Sequence, residues 1–482
     1  MQQTSTLVAA LVFAGACGDS TAPARATPMP TPRPEPSVGT VALLPNTTDA
    51  LATFVAFAVH DADSARVLYR FGTGAEHGTA FAPIRDSTRV PLFALPAGVA
   101  VTVRVIAVGG GHSDTSAAVT GVVPGVPDVV RRVRLQTTAG RASGGYVLTS
   151  VTLGDTAYAV AFDGAGRVAW YRAFLGAGGA SDAYQQPNGD FSLYLGRSHG
   201  YDPVPDGAFT EFRPTGEVVR QWRAPAGFYT DPHELRVGAA AGTPSYIAGY
   251  DLRPTDLTSR GGALDTPIAG HTIFRVDALG IATPVFVARD HFTLADWVIP
   301  SNGLGDFDHP NSLDVDRDGD LIVSWRNVGE VSKIDPATGQ FVWRLGGPHN
   351  EFTFVNDPWN GFGGQHDVRA LPNGDLLLYD NGWAHAPLET RVVEYRVDVA
   401  AHTATLVWQF RHQPAVFTAF VGSVQRLASG NTFIGYGSQG FATEVDPTGG
   451  VVWEGALVID GARNQSTYRL LKIAALARAA RP

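Results

Sequence analysis

The sequence predicts an all-β protein, a six-bladed β-propeller preceded by a small β-sandwich of immunoglobulin or fibronectin type. Three observations carry that prediction. After about residue 142 a hairpin unit with Asn-Gly or Asp-Gly at its turn and Trp near its end recurs about six times. From Val38 to about Thr138, alternating apolar strands follow one another at roughly 8–12 residue intervals. Gly accounts for 55 of 482 residues and charged side chains for only 17%, a composition of turn-rich β chains. The length admits about three units of ~150 residues, or fewer and larger closed β units. With 44% apolar residues the chain can build a core, which excludes global disorder. Acidic residues outnumber basic ones 45 to 36, for a net charge of -9. That argues against a nucleic-acid binder, which needs a basic face to displace counterions.

At the N-terminus, Leu7 to Ala16 is an apolar run too short to span a bilayer. Small residues Ala14, Gly15 and Ala16 lead into Cys17, the one cysteine of the chain. Residues 1–17 are expected to be a lipoprotein-type signal peptide with Cys17 as the lipidated anchor. An ordinary signal peptide is the plainer alternative, because MQQTST lacks Lys and Arg and Ala14 stands where Leu is usual. Residues 18–37, rich in Pro and Thr, read as an extended tether. The expectation is an exported protein, periplasmic or in the cell envelope. One cysteine also excludes an intramolecular disulfide.

The β-sandwich is expected over 38–138. Its candidate strands are VALLP, ATFVAFAV, ARVLYRFG, STRVPLFAL, VAVTVRVIAVG and VVRRVRLQ. No cluster of His, Asp or Glu marks it for chemistry, so it reads as a structural module.

The propeller is expected over 139–482. Its clearest repeats are DVDRDGDLIVSW at 314–325, RALPNGDLLLYDNG at 369–382 and QRLASGNTFIGYG at 425–437, each followed by a second hairpin. Their centres, Asp320, Asp375 and Asn431, stand 55 and 56 residues apart. Tight hairpin turns need positive φ, which explains the Asn-Gly and Asp-Gly pairs. The repeated Trp residues read as core between blades. The tail at 465–480 fits either a short helix or a closing strand.

Propellers carry function where inner strands begin. Polar residues at those points are His233 in DPHELRV, His309 and Asn311 in DHPNSLDVD, and His366 in GQHDVRAL, with Arg326 after the next strand in SWRNVGE. Three histidines at like points of different repeats converge on one pocket, although structural turn caps are the bland alternative. A His₃ zinc site with an open position has the same pattern. Arg326 favours an anion instead, since guanidinium makes bidentate contacts with oxyanions. No metal is assigned, and no cofactor.

With DPHEL, HPN, SWRN, VWRLGG at 342–347, GQHD and VQRLASGNT at 424–432 in order, residues from about 140 to 460 resemble the bacterial arylsulfotransferases, also called aryl-sulfate sulfotransferases. The resemblance implies an exported six-bladed propeller that moves a sulfuryl group from an aryl sulfate to a phenol by ping-pong transfer, without a nucleotide sulfate donor. It implies His366 as the nucleophile, His233 and His309 as sulfuryl-holding or acid–base groups, and Asn311 and Arg326 as binders of the sulfate oxygens. The partners it implies are a small-molecule aryl sulfate and a phenol, with a homodimer left open, no nucleic acid, and the membrane only through the lipid anchor. The enterobacterial members carry a Cys pair that this chain lacks.

Two other classes stay open at this level, a metal-dependent propeller hydrolase of lactonase type and a non-catalytic ligand-binding propeller. The run DxDxDGD at 314–320 resembles the start of a calcium loop, but Trp325 stands where the loop needs Glu. Phe228, Tyr229, Trp359 and Trp383 lie in loops near the histidines, as channel-mouth or packing residues. His199, His271, His349, His385 and the remaining histidines show no repeat-equivalent spacing, and His349 and His385 are the ones placed nearest the channel.

Overall fold

The computed structural model describes residues 33–84, 87–140, 142–196, 206–240, 242–299 and 305–477. The expected signal peptide, Cys17, most of the tether and His199 lie outside the described residues. Those described are nearly all-β. Among them no helix is long and apolar enough to cross a membrane.

The first unit has two sheets. Ser37–Pro45, Thr53–His60 and Ser87–Leu92 form one, and Ser64–Phe71 with Ala100–Gly109 centre the other. Along Ala100–Gly109 burial alternates strictly, with Val101, Val103, Val105 and Ala107 inside. One face of the strand therefore meets a core and the other does not. That core is shared with Val55, Phe57 and Val67 of the neighbouring strands.

The stretch VVRRVRLQ behaves differently from its expectation. It is split by a helical turn at Asp128–Arg131. Strand Val133–Gly140 then pairs antiparallel with Val451–Ile459, near the other end of the chain. It is thus an outer strand of the last sheet, and the boundary expected at 138/139 falls within it.

Six further sheets, each built on four antiparallel strands, follow along the chain. Each has one edge strand turned to the centre: Ala180–Gln185, Tyr229–Arg236, Pro310–Val315, His366–Ala370, Ser423–Arg426 and Leu470–Ile473. These strands contact one another in order, and Tyr146–Leu153, in the same sheet as Leu470–Ile473, contacts Ala180–Gln185. The cycle of sheets is therefore closed, a propeller-like arrangement. The tail resolves to the closing strand, which pairs with Tyr146–Leu153.

Local sequence explains the repeat. At the turns, Gly319 and Gly374 take φ of +94° and +90°, a region that a Cβ disfavours. Trp170, Trp222 and Trp343 sit on the outermost strands of three sheets, Trp453 sits on the strand beside Val133–Gly140, and all four are buried. Each removes roughly 200 Å² from water, worth about 5 kcal/mol of transfer free energy before entropy is charged. Truncating one to Ala costs about 3–5 kcal/mol.

The two regions touch through polar contacts. Asn46 and Thr48 donate to the carbonyl of Thr215, and the backbone N–H of Ala50 donates to the Tyr171 hydroxyl. A cavity of about 1130 Å³, bordered by Leu51, Val130, Arg134, Tyr146 and Arg167, lies in this junction, away from the histidines.

Candidate active site

Four inner strands break register at one level: between Ser181 and Tyr184, Thr230 and Leu235, Pro310 and Ser312, and His366 and Arg369. Such bulges re-aim side chains that a regular ladder would send between the sheets. His233, His309 and His366 stand at these irregularities and come together. The rings of His233 and His309 are 4.6 Å apart, and those of His309 and His366 6.4 Å apart.

His366 is buried. Its Nδ1 meets the carbonyl of Gly364 at 3.1 Å and Oδ1 of Asn381 at 2.7 Å. Nδ2 of Asn381 donates to the carbonyls of Thr418 and Val421, which fixes the amide orientation. Nδ1 of His366 therefore carries the proton, and Nε2 is the lone-pair nitrogen. Burial, then the charges of Arg326 and His309, hold this imidazole well below its usual pKa, so the ring is neutral at neutral pH. Nε2 accepts the backbone N–H of Val421 at 3.1 Å.

The other two rings are held by carboxylates. Asp231 accepts from Nδ1 of His233 at 2.9 Å, and Asp306 accepts from Nδ1 of His309. Burial also pushes His309 down, and it outweighs the pull of Asp306. Arg326 follows the strand Leu321–Trp325. Its backbone N–H donates to the carbonyl of His309 at 2.9 Å, and its Nη2 to the carbonyl of Ala419 at 3.1 Å. Nδ2 of Asn311 donates to the carbonyl of Gln365 at 2.7 Å, while its buried Oδ1 has no hydrogen-bond partner.

Repeat register refines the sequence reading. Asn311 and His366 are 55 residues apart, as are Arg326 and Asn381. Asn311, not His309, is thus the repeat counterpart of His366, and His309 reaches the cluster from two residues earlier with φ of +52°. The spacing that singled out Arg326 also marks Asn381, which sequence reasoning missed. His271 was set aside for lack of repeat spacing, yet it is fully buried between Asp308 and Asp231. Burial works against a charged ring there, but Asp308 and Asp231 outweigh it and push His271 up to about 10. Tyr468, just before the closing strand, lies 5.7 Å from the His233 ring and donates to the carbonyl of Asn311.

One position further along the inner strands, the axis is filled with ions. Arg469 binds Asp182 and Glu234 and lies 3.4 Å from Asp367, and Arg369 binds Glu234 and Asp367. Burial, against Arg469, pushes both Asp182 and Asp367 up to about 7. Asp367 thus serves this axial network, and Asn381 orients the His366 ring.

The remaining suspects find structural roles. His349 bonds Asp296, and His385 bonds Asp380 beneath Trp359. Phe228 packs edge-on against Phe274, and Tyr229 lies against Tyr250. Trp359 is clasped by Arg391 and Arg411. Trp383 is half-buried, its ring 6.0 Å from the Arg326 guanidinium and edge-on to Phe417. In the DxDxDGD run, Asp316 and Asp318 bind the ammonium of Lys333, with Asp320 at 3.6 Å. Lys333 supplies the cation there. Among the described residues, no three His, Cys, Asp or Glu side chains gather as a metal-ligand set.

The fold and this cluster define a propeller-like β protein with a histidine–arginine centre. Residues 226–458, just under half of the chain, match the family model described as arylsulfotransferase (ASST), and over that stretch the chain is similar to this family. The matched stretch contains His233, Asp231, His271, His309, Asn311, Arg326, His366 and Asn381. No curated protein matches the chain. Among solved structures, a Bacteroides caccae protein of unknown function is similar at 14% identity, covering 68% of this chain and 98% of that one, with a TM-score of 0.43. A streptogramin B lyase is similar at 10% identity, over 70% of this chain and 98% of its own, with a TM-score of 0.36. Virginiamycin B lyase from Staphylococcus aureus is similar at 11% identity, over 76% and 92%, with a TM-score of 0.35.

Proposed function

We propose that this chain is a six-bladed β-propeller preceded by a β-sandwich, and that it moves a sulfuryl group from an aryl sulfate to a phenol through a sulfated His366, without a nucleotide donor. The observation that carries the reading is the state of His366. The ring is neutral, its Nδ1–H is committed to Asn381 and Gly364, and Nε2 is the nucleophilic nitrogen, with Arg326 close enough to depress its pKa.

In the first half-reaction the Nε2–S bond forms as the S–O(aryl) bond breaks. The departing phenolate takes the Nε2 proton of His233 or His309, the donating ring entering this step as an imidazolium and leaving it neutral with its proton on Nδ1. Asp231 and Asp306 hold Nδ1 of those rings, so Nε2 carries out the exchange. In the second half-reaction an acceptor phenol gives its proton back to the same ring. Its oxygen bonds sulfur as the Nε2–S bond breaks. Arg326 and the second Nδ2 hydrogen of Asn311 meet the charge on the sulfuryl oxygens, and Oδ1 of Asn311 accepts from a phenol hydroxyl. Trp383 offers an aromatic wall beside Arg326. Export and anchoring through Cys17 belong to the same reading, and loss of lipid labelling in Cys17→Ser tests them.

The test of the reaction is intact mass after incubation with an aryl sulfate alone, then release of donor phenol on adding acceptor. A sulfuryl-sized mass gain that is absent in His366→Ala supports the reading. Turnover without any adduct, or an adduct that persists in His366→Ala, refutes it.

A further inference from the structure

His271 lies on strand Thr266–Val276 with none of its surface exposed. Each of its ring nitrogens meets a different carboxylate, Nδ1 that of Asp308 and Nε2 that of Asp231 at 3.2 Å. Those two carboxylates hold the two acid–base candidates. Asp231 accepts both Nδ1–H and the backbone N–H of His233, the latter at 3.0 Å. Asp308 accepts the backbone N–H of His309 at 2.8 Å and that of His271 itself at 3.1 Å. One buried ring therefore joins, through one carboxylate on either side, the Nδ1–H of His233 and the backbone N–H of His309, whose rings lie 4.6 Å apart.

The backbone alone does not fix those imidazoles. The strand carrying His233 is out of register between Thr230 and Leu235, and His309 has φ of +52° just ahead of another irregularity. Where ladder bonds are interrupted, side-chain contacts must set the ring positions. Two buried carboxylates side by side also need a cation between them, and protonated His271 is that cation in the geometry observed.

We propose, resting on the sulfuryl-transfer reading, that His271 is a positioning residue that locks Asp231 and Asp308, and through them His233 and His309, into one acid–base unit. It touches no substrate. Its effect falls on protonation of the leaving oxygen, and this makes the role separable from a merely structural one. A weakly basic leaving phenolate departs without a proton, whereas a basic one needs it.

The experiment compares full-length wild type with His271→Ala and His271→Gln on 4-nitrophenyl sulfate and phenyl sulfate, with melting temperatures alongside. Gln keeps an N–H donor close to where Nε2 meets Asp231. The expected result for Ala is a loss of about 100-fold in kcat on phenyl sulfate, less than about 5-fold on 4-nitrophenyl sulfate, and KM unchanged. Gln regains about 10-fold of the loss. Equal losses on both donors, or no loss on either, overturn the assignment. If wild type turns over neither donor and gains no sulfuryl mass, the reaction reading falls. His271 is then judged by the hydrogen-bonded Nδ1 proton resonance of His233 in histidine-labelled protein, with the Asp306-bound Nδ1 proton of His309 as an internal control. Loss of the His233 signal in Ala, with its retention in Gln, supports the positioning role, and its persistence in Ala overturns it.

Discussion

The backbone N–H of Val421 donates to Nε2 of His366 at 3.1 Å, on the nitrogen proposed to attack sulfur. Val421 holds that contact at φ of +54°, a region costly for a β-branched residue. The peptide caps Nε2 in a strained conformation, and under the proposed reaction donor binding has to displace it. Val421→Gly removes the strain from the capped form, which favours it by about 1 kcal/mol. The expected outcome is a burst of donor phenol about 5-fold slower than wild type, measured by stopped flow, with the final adduct mass unchanged.

His271 couples the site to pH through stability. Its folded value of about 10 lies above its ordinary 6.5, so its stabilisation is complete below pH 6.5 and is lost as pH rises through about 10. The stability gap between wild type and His271→Asn should be widest near pH 6 and should close toward pH 10. Urea midpoints across that range measure it, and a gap independent of pH contradicts the imidazolium.

Arg469 neutralises carboxylates from three other sheets while only 2% exposed. Removing one partner of a buried ion pair strands the other charge. Arg469→Leu should therefore cost about 3–5 kcal/mol, read from denaturant midpoints. Partial recovery on lowering the pH should follow, and it should begin above pH 7, because losing Arg469 raises Asp182 and Asp367 beyond the value of about 7 they hold beside it.

Lys333 occupies the centre of the DxDxDGD run. Calcium should leave the melting temperature of wild type unchanged. Lys333→Gln frees three carboxylates around one point and should become calcium-responsive, with a melting temperature that rises on addition of the ion.

How far the sequence could be read depended on period. The hairpin repeat was legible because Gly319 and Gly374 must adopt positive φ at fixed spacing, and this exposed the ring of sheets. The same spacing brought out Asn311, Arg326 and His366. His309 and His271 obey another logic. His309 enters from a residue that precedes its strand, and His271 comes from the third strand of its sheet and reaches inward beside Asp231. His309 was legible all the same, because like His233 and His366 it stands where an inner strand begins, whereas the position of His271 does not recur and periodicity is blind to it; the buried carboxylates Asp231, Asp306 and Asp308 reveal what both rings do. The strand Val133–Gly140 was misplaced for a related reason. Its alternation says that it is a strand, but not that its partner is Val451–Ile459, more than three hundred residues away.

The closing strand Leu470–Ile473 has a consequence for biosynthesis. It completes the sheet begun at Tyr146, and the two residues before it, Tyr468 and Arg469, reach the histidine cluster and the axial ions. Among the described residues, the strand synthesised last is therefore the one that shuts the ring. A chain released early would lack Arg469 and leave Asp182 and Asp367 facing one another without it. Termination before Arg469 therefore removes the ring-closing strand and the axial cation together, and yields an inert molecule rather than a weakened one.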